Sequence, residues 1–295
     1  MRPALATTLA VLCLIVIAPA AGRASPVAML VSGEIMRIDS GGGTASLLAG
    51  SGDWVSLAYS GPDRLLAARQ AEQSCDVVDP SSGQTVAVGV DIVAQTDRYQ
   101  GACQLTSDPA GGLYLEADNG TLGSATTFRL DIAASSVPWS FYGYGASAAA
   151  DGSLVTIQHR YFAKGGSYEQ PWIRTPGGAS RALVRVRSAR RGLQYQSIAI
   201  SRDGRQVAGI RWAGSRRPRT SLVLMSASGR NARVLWRRPS TRPLTTVEWL
   251  PDGSGLLVGV SDSRQADSYA IYRVSADGRS RVRLATGVSA FAVGG

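Results

Sequence analysis

A chain of 295 residues is long enough for one large domain, and a hydrophobic content of 44% lets that domain bury a full core. With 34 glycines and only 7% aromatic residues, the composition suits many short strands and tight turns and argues against long helices. The formal net charge of +10 is unevenly spread, because residues 1–150 hold 7 Arg against 13 acidic residues, whereas residues 151–295 hold 23 Arg and one Lys against 8.

The first 24 residues have the three-part layout of a secretory signal. Arg2 supplies a positive start, the run from Ala4 to Ala18 is apolar, and small-residue cleavage sites follow up to Ala24. We expect cleavage there, which leaves residues 25–295 as a single domain in a secreted, periplasmic or cell-envelope location. An uncleaved anchor is the alternative, although the run is short for a membrane span, and no later segment is apolar enough to span one.

Two strand–turn–strand elements then alternate along the chain. In the first element the turn is rich in Pro, Asp and Gly, a strong hairpin signal between apolar runs. Its five copies have turns at residues 61–63, 108–111, 151–152, 202–204 and 251–253. The second element has six copies, with turns at residues 41–43, 81–83, 133–136, 176–178, 227–229 and 276–278. Spacings of 41 to 52 residues match the length of a four-stranded propeller blade.

The missing sixth copy of the first element predicts how the ring closes. Val27–Val31 can serve as a second strand, and Val288–Val293 is an apolar strand without a neighbour in sequence. Together they complete one blade and remove an open sheet edge. The sequence therefore predicts an all-β, six-bladed β-propeller whose N- and C-terminal strands share one blade. An open array of hairpins or a β-sandwich is the alternative.

Two stretches carry a family resemblance. Ser201-Arg202-Asp203-Gly204 and Leu250-Pro251-Asp252-Gly253 resemble the Ser-Pro-Asp-Gly repeat of TolB-type propellers, and Ala276-Asp277-Gly278 fits the same pattern. The resemblance extends over nearly the whole mature chain and implies the fold rather than a function. TolB itself is a periplasmic protein with an additional N-terminal α/β domain, for which we expect no room in this chain, so a role in the Tol–Pal system is not implied.

Two cysteines remain after signal cleavage, Cys75 and Cys103. An even number of cysteines in an exported chain favours a disulfide between them, with two separate buried thiols as the alternative. His159 is the one histidine and there is no Cys-x-x-Cys pair, so we expect neither a metal site nor a cofactor.

The sequence offers little sign of catalysis, and we predict no catalytic residue. It contains no nucleophile elbow, phosphate loop or dinucleotide fingerprint. The turn aspartates are explained by turn geometry, because an Asp side chain caps its own backbone there. Glu116, Asp118, Glu169 and Glu248 are harder to dismiss, and Glu248 is expected to face the central channel. A carbohydrate-active hydrolase or lyase using channel carboxylates is therefore the alternative function.

Aromatic and basic segments are better candidates for binding. We expect Trp139–Tyr144 to link blades three and four, and Tyr161 and Phe162 to begin a long hairpin connection in blade four, unless these rings pack between blades. An Arg-rich loop extends blade five, and more arginines precede that blade. The predicted ligand-binding residues are Arg211, Trp212, Arg216, Arg217, Arg219, Arg190, Arg191, Tyr161 and Phe162. Ordinary solvated arginines are the alternative reading of this region.

These features together predict an exported, non-enzymatic binding or scaffold protein. Its partner is expected to be a protein or an anionic component of the cell envelope, bound through an Arg-rich surface of blades four and five. Export argues against nucleic acid. The acidic first half can also meet the basic half of another copy, which would give head-to-tail association.

Overall fold

The computed structural model describes residues 24–61, 64–71, 74–87, 103–109, 111–117, 126–131, 136–161, 167–184, 194–213, 218–261 and 268–294. Within these ranges the regular elements are 23 β-strands, and their pairings are antiparallel. The predicted all-β class is confirmed.

The strands form six four-stranded blades in chain order. Blade one uses β1 (Pro26–Val31), β2 (Glu34–Asp39) and β3 (Ser46–Ala49). Blade two is β4 (Trp54–Tyr59), β5 (Leu65–Ala71), β6 (Ser74–Asp79) and β7 (Gln84–Ala87). Blade three is β8 (Gln104–Ser107), β9 (Leu113–Ala117), β10 (Thr126–Asp131) and β11 (Ser136–Tyr142). Blade four is β12 (Tyr144–Ala148), β13 (Leu154–Tyr161), β14 (Ser167–Arg174) and β15 (Ser180–Ala182). Blade five is β16 (Gln194–Ile200), β17 (Gln206–Ala213), β18 (Arg219–Ser226) and β19 (Arg233–Pro239). Blade six is β20 (Leu244–Trp249), β21 (Gly255–Ser261), β22 (Tyr269–Ser275) and the start of β23 (Arg281–Val293).

The long strand β23 belongs to two blades. Residues 281–285, with Val288 opposite Tyr269, pair with β22 as the outermost strand of blade six, and residues 288–293 pair with β1 as the innermost strand of blade one. Gly287, with a φ of 73°, lies between the two halves. The predicted pairing of Val27–Val31 with Val288–Val293 is confirmed in register, for example Val27 opposite Val293. The sequence did not predict that one continuous strand makes the join.

The core is divided among the six seams between neighbouring blades. Each seam has its own buried cluster among the described residues; Leu222, Leu244 and Val258, for example, fill the seam between blades five and six. Middle strands are covered on both sides, so they need continuous apolar runs instead of alternation, as in Gly255–Val260. Each innermost strand contacts the innermost strand of the next blade, and β20 contacts β23. These contacts complete the ring.

The ring has two different faces. We call turn face the one that carries the Asp-Gly turns and the turns between third and fourth strands, and loop face the one that carries the other connections. Turns of adjacent blades meet on the turn face, where the Ser60 hydroxyl donates to Gly111 O (3.1 Å) and Ala150 N donates to Arg202 O (2.9 Å). Gly204 and Gly253 adopt φ values of 69° and 71°, which glycine reaches without steric cost.

One expected connection is wrong, and several predictions lie outside the described residues. Trp139 to Tyr142 are the end of β11, the outermost strand of blade three, because they pair with β10, so the link to blade four is Gly143. The signal segment lies outside the described part of the chain, apart from Ala24. Cys103 is disulfide-bonded, but the side chain of its expected partner Cys75 is not among the described ones, so that pairing stays a prediction.

Candidate functional site

Three arginines of blade five lie on one side of its sheet. Arg211 of β17 pairs with Ser221 of β18, and Ser221 pairs with Arg237 of β19. Arg219 precedes Ser221 by two residues and therefore shares its side. Val223, two residues further on, packs into the core of the seam between blades four and five. The three guanidinium groups thus belong to the side of blade five that faces blade four, at its loop-face end.

Blade four contributes aromatic groups to the same seam. His159 and Tyr161 share a side of β13 with Ile157, which packs into the core between blades four and five. The two rings contact edge to face, with centroids 4.9 Å apart. The Tyr161 side chain is 71% exposed, which is unusual for a large ring. We call Tyr161, Arg211, Arg219 and Arg237 the basic seam.

The positive charges of the basic seam are not neutralised locally. Arg219 and Arg237 are exposed. Arg211 is half-buried and hydrogen-bonds to the Tyr195 hydroxyl, and its buried Nε has no partner. Burial raises the pKa of Tyr195, and this arginine opposes that effect. Among the described residues, no carboxylate lies within 4.0 Å of these three guanidinium groups. The seam is therefore a site of unpaired positive charge.

One acidic residue lies deeper in the same seam. Glu169 of β14 is directly opposite His159 and accepts a hydrogen bond from the Tyr144 hydroxyl. Burial raises the pKa of Glu169, while Tyr144 and His159 oppose the rise. A half-buried carboxyl with its own partners does little to neutralise exposed arginines.

The structure separates the predicted ligand-binding residues into three groups. Arg211, Arg219 and Tyr161 come together in the basic seam. Trp212 pairs with Thr220 and lies on the other side of blade five, toward blade six. The remaining predicted residues lie outside the described part of the chain: Phe162, Arg190, Arg191, Arg216 and Arg217. Sequence reasoning missed Arg237 as a site residue, because only strand register places it beside Arg211.

Three arginines of the turn face are in a different situation, since they hydrogen-bond across seams. Arg181 of blade four donates to the carbonyls of residues 227–228 in blade five. Arg233 of blade five makes the same contact with residues 276–277 in blade six. Arg273 of blade six donates to a carbonyl of blade one. These arginines join blades, so their positive charge is not a sign of a ligand.

A cavity of about 450 Å³ occupies the centre of the ring and is lined by all six innermost strands. Hydroxyl and amide groups contribute much of its wall: Gln104, Thr106, Gln196, Ser197, Thr245 and Thr246. Glu248 and Glu116 also line it, from blades six and three, so the expectation for Glu248 agrees with its position.

Glu248 lies where the ring closes. Its carboxylate accepts a hydrogen bond from the backbone of Val293, the last residue of β23, and it lies near the Tyr269 hydroxyl. Burial raises the pKa of Glu248 to about 8. The side chain keeps some exposed surface because it borders the cavity. At neutral pH this carboxyl is mostly protonated.

The other carboxylates near the cavity are engaged in structural hydrogen bonds. Glu116 Oε2 accepts from Gly145 N (2.6 Å). Asp108 accepts from Gly112 N (2.8 Å) and from the Tyr114 hydroxyl (3.0 Å). Turn aspartates cap their own backbone, and they accept from the N–H two residues later: Asp151, Asp203, Asp252 and Asp277. That is the role turn geometry predicts for them.

The described residues show neither a cluster of metal ligands nor a membrane-spanning helix. No group of three or more His, Cys, Asp or Glu side chains there is arranged to hold a metal ion. No helix there is long and apolar enough to cross a membrane.

Solved structures resemble this ring, although no family model and no curated protein matches the sequence. TolB from Acinetobacter baumannii matches with a TM-score of 0.64 at 16% identity, covering 92% of this chain and 66% of TolB. The fold is that of the TolB-type propeller. A TolB-type protein of Agrobacterium tumefaciens gives 0.57 at 12% identity, with coverages of 90% and 89%. The periplasmic gluconolactonase PpgL of Pseudomonas aeruginosa gives 0.50 at 14%, with coverages of 92% and 99%. Identities this low establish the fold alone.

Proposed function

We propose that this protein is an exported, non-enzymatic binding or scaffold propeller that holds an anionic partner at the basic seam. The partner is an acidic protein or an anionic component of the cell envelope. The observation that carries the proposal is the unpaired charge of Arg211, Arg219 and Arg237 beside the exposed Tyr161 ring. Exposed aromatic rings and arginines are the residue types that binding surfaces favour.

Contrast with the rest of the molecule supports the proposal. On the turn face, Arg181 and Arg233 donate to carbonyls of the next blade, and Arg205 and Arg279 lie near turn aspartates. The basic seam has neither kind of partner. Guanidinium groups without an acidic partner on one edge give a local positive potential, which attracts an anion and weakens with added salt.

An export signal and a periplasmic or secreted location remain part of the proposal. The N-terminal segment carries the signal pattern, and one of the similar structures is described as periplasmic. Secretion assays with and without residues 1–24 test this directly: the full-length chain should reach the envelope fraction and the shortened one should stay in the cytoplasm.

Retention on a phosphorylated matrix, compared with a neutral matrix, tests the seam. The double variant Arg219→Ser, Arg237→Ser should elute at a clearly lower salt concentration than the wild type. The matched control is Arg205→Ser, Arg230→Ser, which removes two charges from the turn face. Both variants have the same net charge, so only a specific site separates them. Equal elution of the two variants would show that net charge alone causes retention and would end the proposal.

Glu248 keeps the second candidate function open, namely a carbohydrate-active hydrolase or lyase. A carboxyl that holds its proton at neutral pH and borders a cavity has the property of a general acid. Incubation of the protein with anionic and neutral polysaccharides, followed by reducing-end and unsaturated-product assays, tests this function. Activity that is lost in Glu248→Gln would support it. Absence of turnover by the wild type on both classes of polysaccharide would remove it.

A further inference from the structure

On the turn face, the seam between blades one and two differs from three other seams in what lies against the turn between the third and fourth strands of the following blade. At those three seams it is an arginine that donates a hydrogen bond, and at this seam it is a cavity. At the seams four–five, five–six and six–one, an arginine donates to a carbonyl in the turn between the third and fourth strands of the next blade. At the seam one–two, the corresponding turn of blade two contains Asp79, Pro80 and Ser81. A cavity of about 400 Å³ lies against that turn.

The lining of this cavity combines an apolar wall with positive charge. Pro26, Leu48 and Leu65 supply the apolar surface, and Leu48 is exposed. Arg37 and Arg64 also line the cavity, and both are exposed. Among the described residues, neither guanidinium group donates a hydrogen bond or lies within 4.0 Å of a carboxylate.

The one acidic group in the lining is already satisfied. Asp79 accepts hydrogen bonds from Ser81 N (2.9 Å) and Ser81 Oγ (2.5 Å). These bonds lower the pKa of Asp79, and the charge of Arg64 acts in the same direction. Two arginines and one ionised aspartate leave the cavity with one net positive charge. A ligand with a single negative charge and an apolar body is complementary to such a cavity.

We propose that the cavity between blades one and two binds a small monocarboxylate, whose carboxylate contacts Arg37 and Arg64 and whose apolar body lies against Leu48 and Leu65. The site is independent of the basic seam, which lies on the other face and in other blades. The carboxylate belongs either to a free acid of about six carbons or to the C-terminus of a short peptide.

Calorimetric titration of the full mature chain with hexanoate tests the site, and hexanamide with matched sodium chloride serves as the uncharged control. We expect saturable binding of hexanoate, at least tenfold weaker binding of hexanamide, and at least tenfold weaker hexanoate binding by Arg37→Gln. Arg64→Gln should weaken binding in the same direction. The matched control Arg205→Gln, an exposed arginine of blade five, should bind like the wild type.

Three results would overturn the proposal: no saturable heat with hexanoate, equal affinity for hexanamide, or unchanged binding by Arg37→Gln. Each altered side chain is exposed, so unliganded melting temperatures within about 1 °C of the wild type verify that the variants are folded. Tripeptides ending in leucine, with a free or an amidated C-terminus, separate the two carboxylate sources. Tighter binding of the free tripeptide than of hexanoate assigns the site to peptide ends, and weaker binding assigns it to free acids.

Discussion

Blades four to six carry arginines on both faces of the ring, and the two sets do different things. On the turn face, Arg181, Arg233 and Arg273 donate to carbonyls of the following blade. On the loop face, Arg219 and Arg237 are exposed and have no acidic partner among the described residues. The same residue type is therefore structural at one end of the blades and available for binding at the other.

This difference between the two sets of arginines shows how the excess of positive charge in residues 151–295 should be interpreted. A count of 23 arginines in residues 151–295 suggests one large cationic surface. Three of these arginines, Arg181, Arg233 and Arg273, instead donate to backbone carbonyls at the seams. Among the described residues, Arg219 and Arg237 at the loop-face end of blade five have no such partner, so their hydrogen-bonding capacity stays available.

Removal of the seam-joining arginines should have the largest effect on stability. In the triple variant Arg181→Met, Arg233→Met, Arg273→Met, the stems remain but the cross-blade hydrogen bonds are lost. We expect the free energy of unfolding to fall by about 2 to 3 kcal/mol, since a charge-assisted bond contributes about 1 kcal/mol and those of Arg181 and Arg233 are exposed whereas that of Arg273 is part-buried. Urea denaturation measures this change. A loss below about 0.5 kcal/mol would show that the two sets of arginines do not differ in structural role.

The pH dependence of stability tests the closing seam, where the buried carboxyl of Glu248 lies beside the end of β23. The pKa of Glu248 is about 8 in the folded protein and about 4.5 when unfolded. The folded state thus keeps a proton that the unfolded state loses, so this stabilisation is complete below pH 4.5 and is lost as the pH rises through 8. We expect a loss of about 2 kcal/mol between pH 5 and pH 8.5, allowing for water in the cavity.

Thermal melts across this range measure that loss, and Glu248→Gln is the matched control because it cannot ionise. The melting temperature of the variant should change less with pH than that of the wild type. Parallel curves for the two proteins would mean that Glu248 does not control the stability of the closing seam.

Substitution of the loop-face arginines should leave stability nearly unchanged. For Arg219→Met, Arg237→Met we expect a change within about 0.5 kcal/mol, as for surface residues without partners. The same variant should lose retention on the anionic matrix. Urea denaturation and salt elution, run on one preparation, give both readouts, and a large loss of stability would place these arginines in the structural set.

The smallest effect is expected from the turn aspartates. Hydrogen bonds from Ser201 and Ser275 lower the pKa values of Asp203 and Asp277. Their contribution is therefore present above the unfolded pKa near 4 and is lost as the pH falls below it. In Asp203→Asn, Asp277→Asn the decline of the melting temperature below pH 4 should be slightly less steep, with little change at pH 7. A decline as steep as in the wild type would show that the two carboxylates add nothing.

Much of the fold could be predicted from the sequence, because Asp-Gly turns are local signals that recur once per blade. The pairing of Val27–Val31 with Val288–Val293 followed from counting those turns. The candidate site was harder to predict from the sequence, since the side of a blade on which Trp212 or Arg237 lies depends on register within the sheet. Whether an arginine donates a hydrogen bond to a carbonyl depends on the position of the next blade, and a local sequence pattern does not give that position.

The strand β23 has a consequence for how the protein is made. The Ser289 hydroxyl donates a hydrogen bond to Leu30 O, 259 positions earlier in the chain, so blade one is incomplete until the residues that follow the other blades are synthesised. Contacts of such sequence separation form slowly. The ring therefore cannot close until β23 has been synthesised, and its closure follows the synthesis of blades two to six.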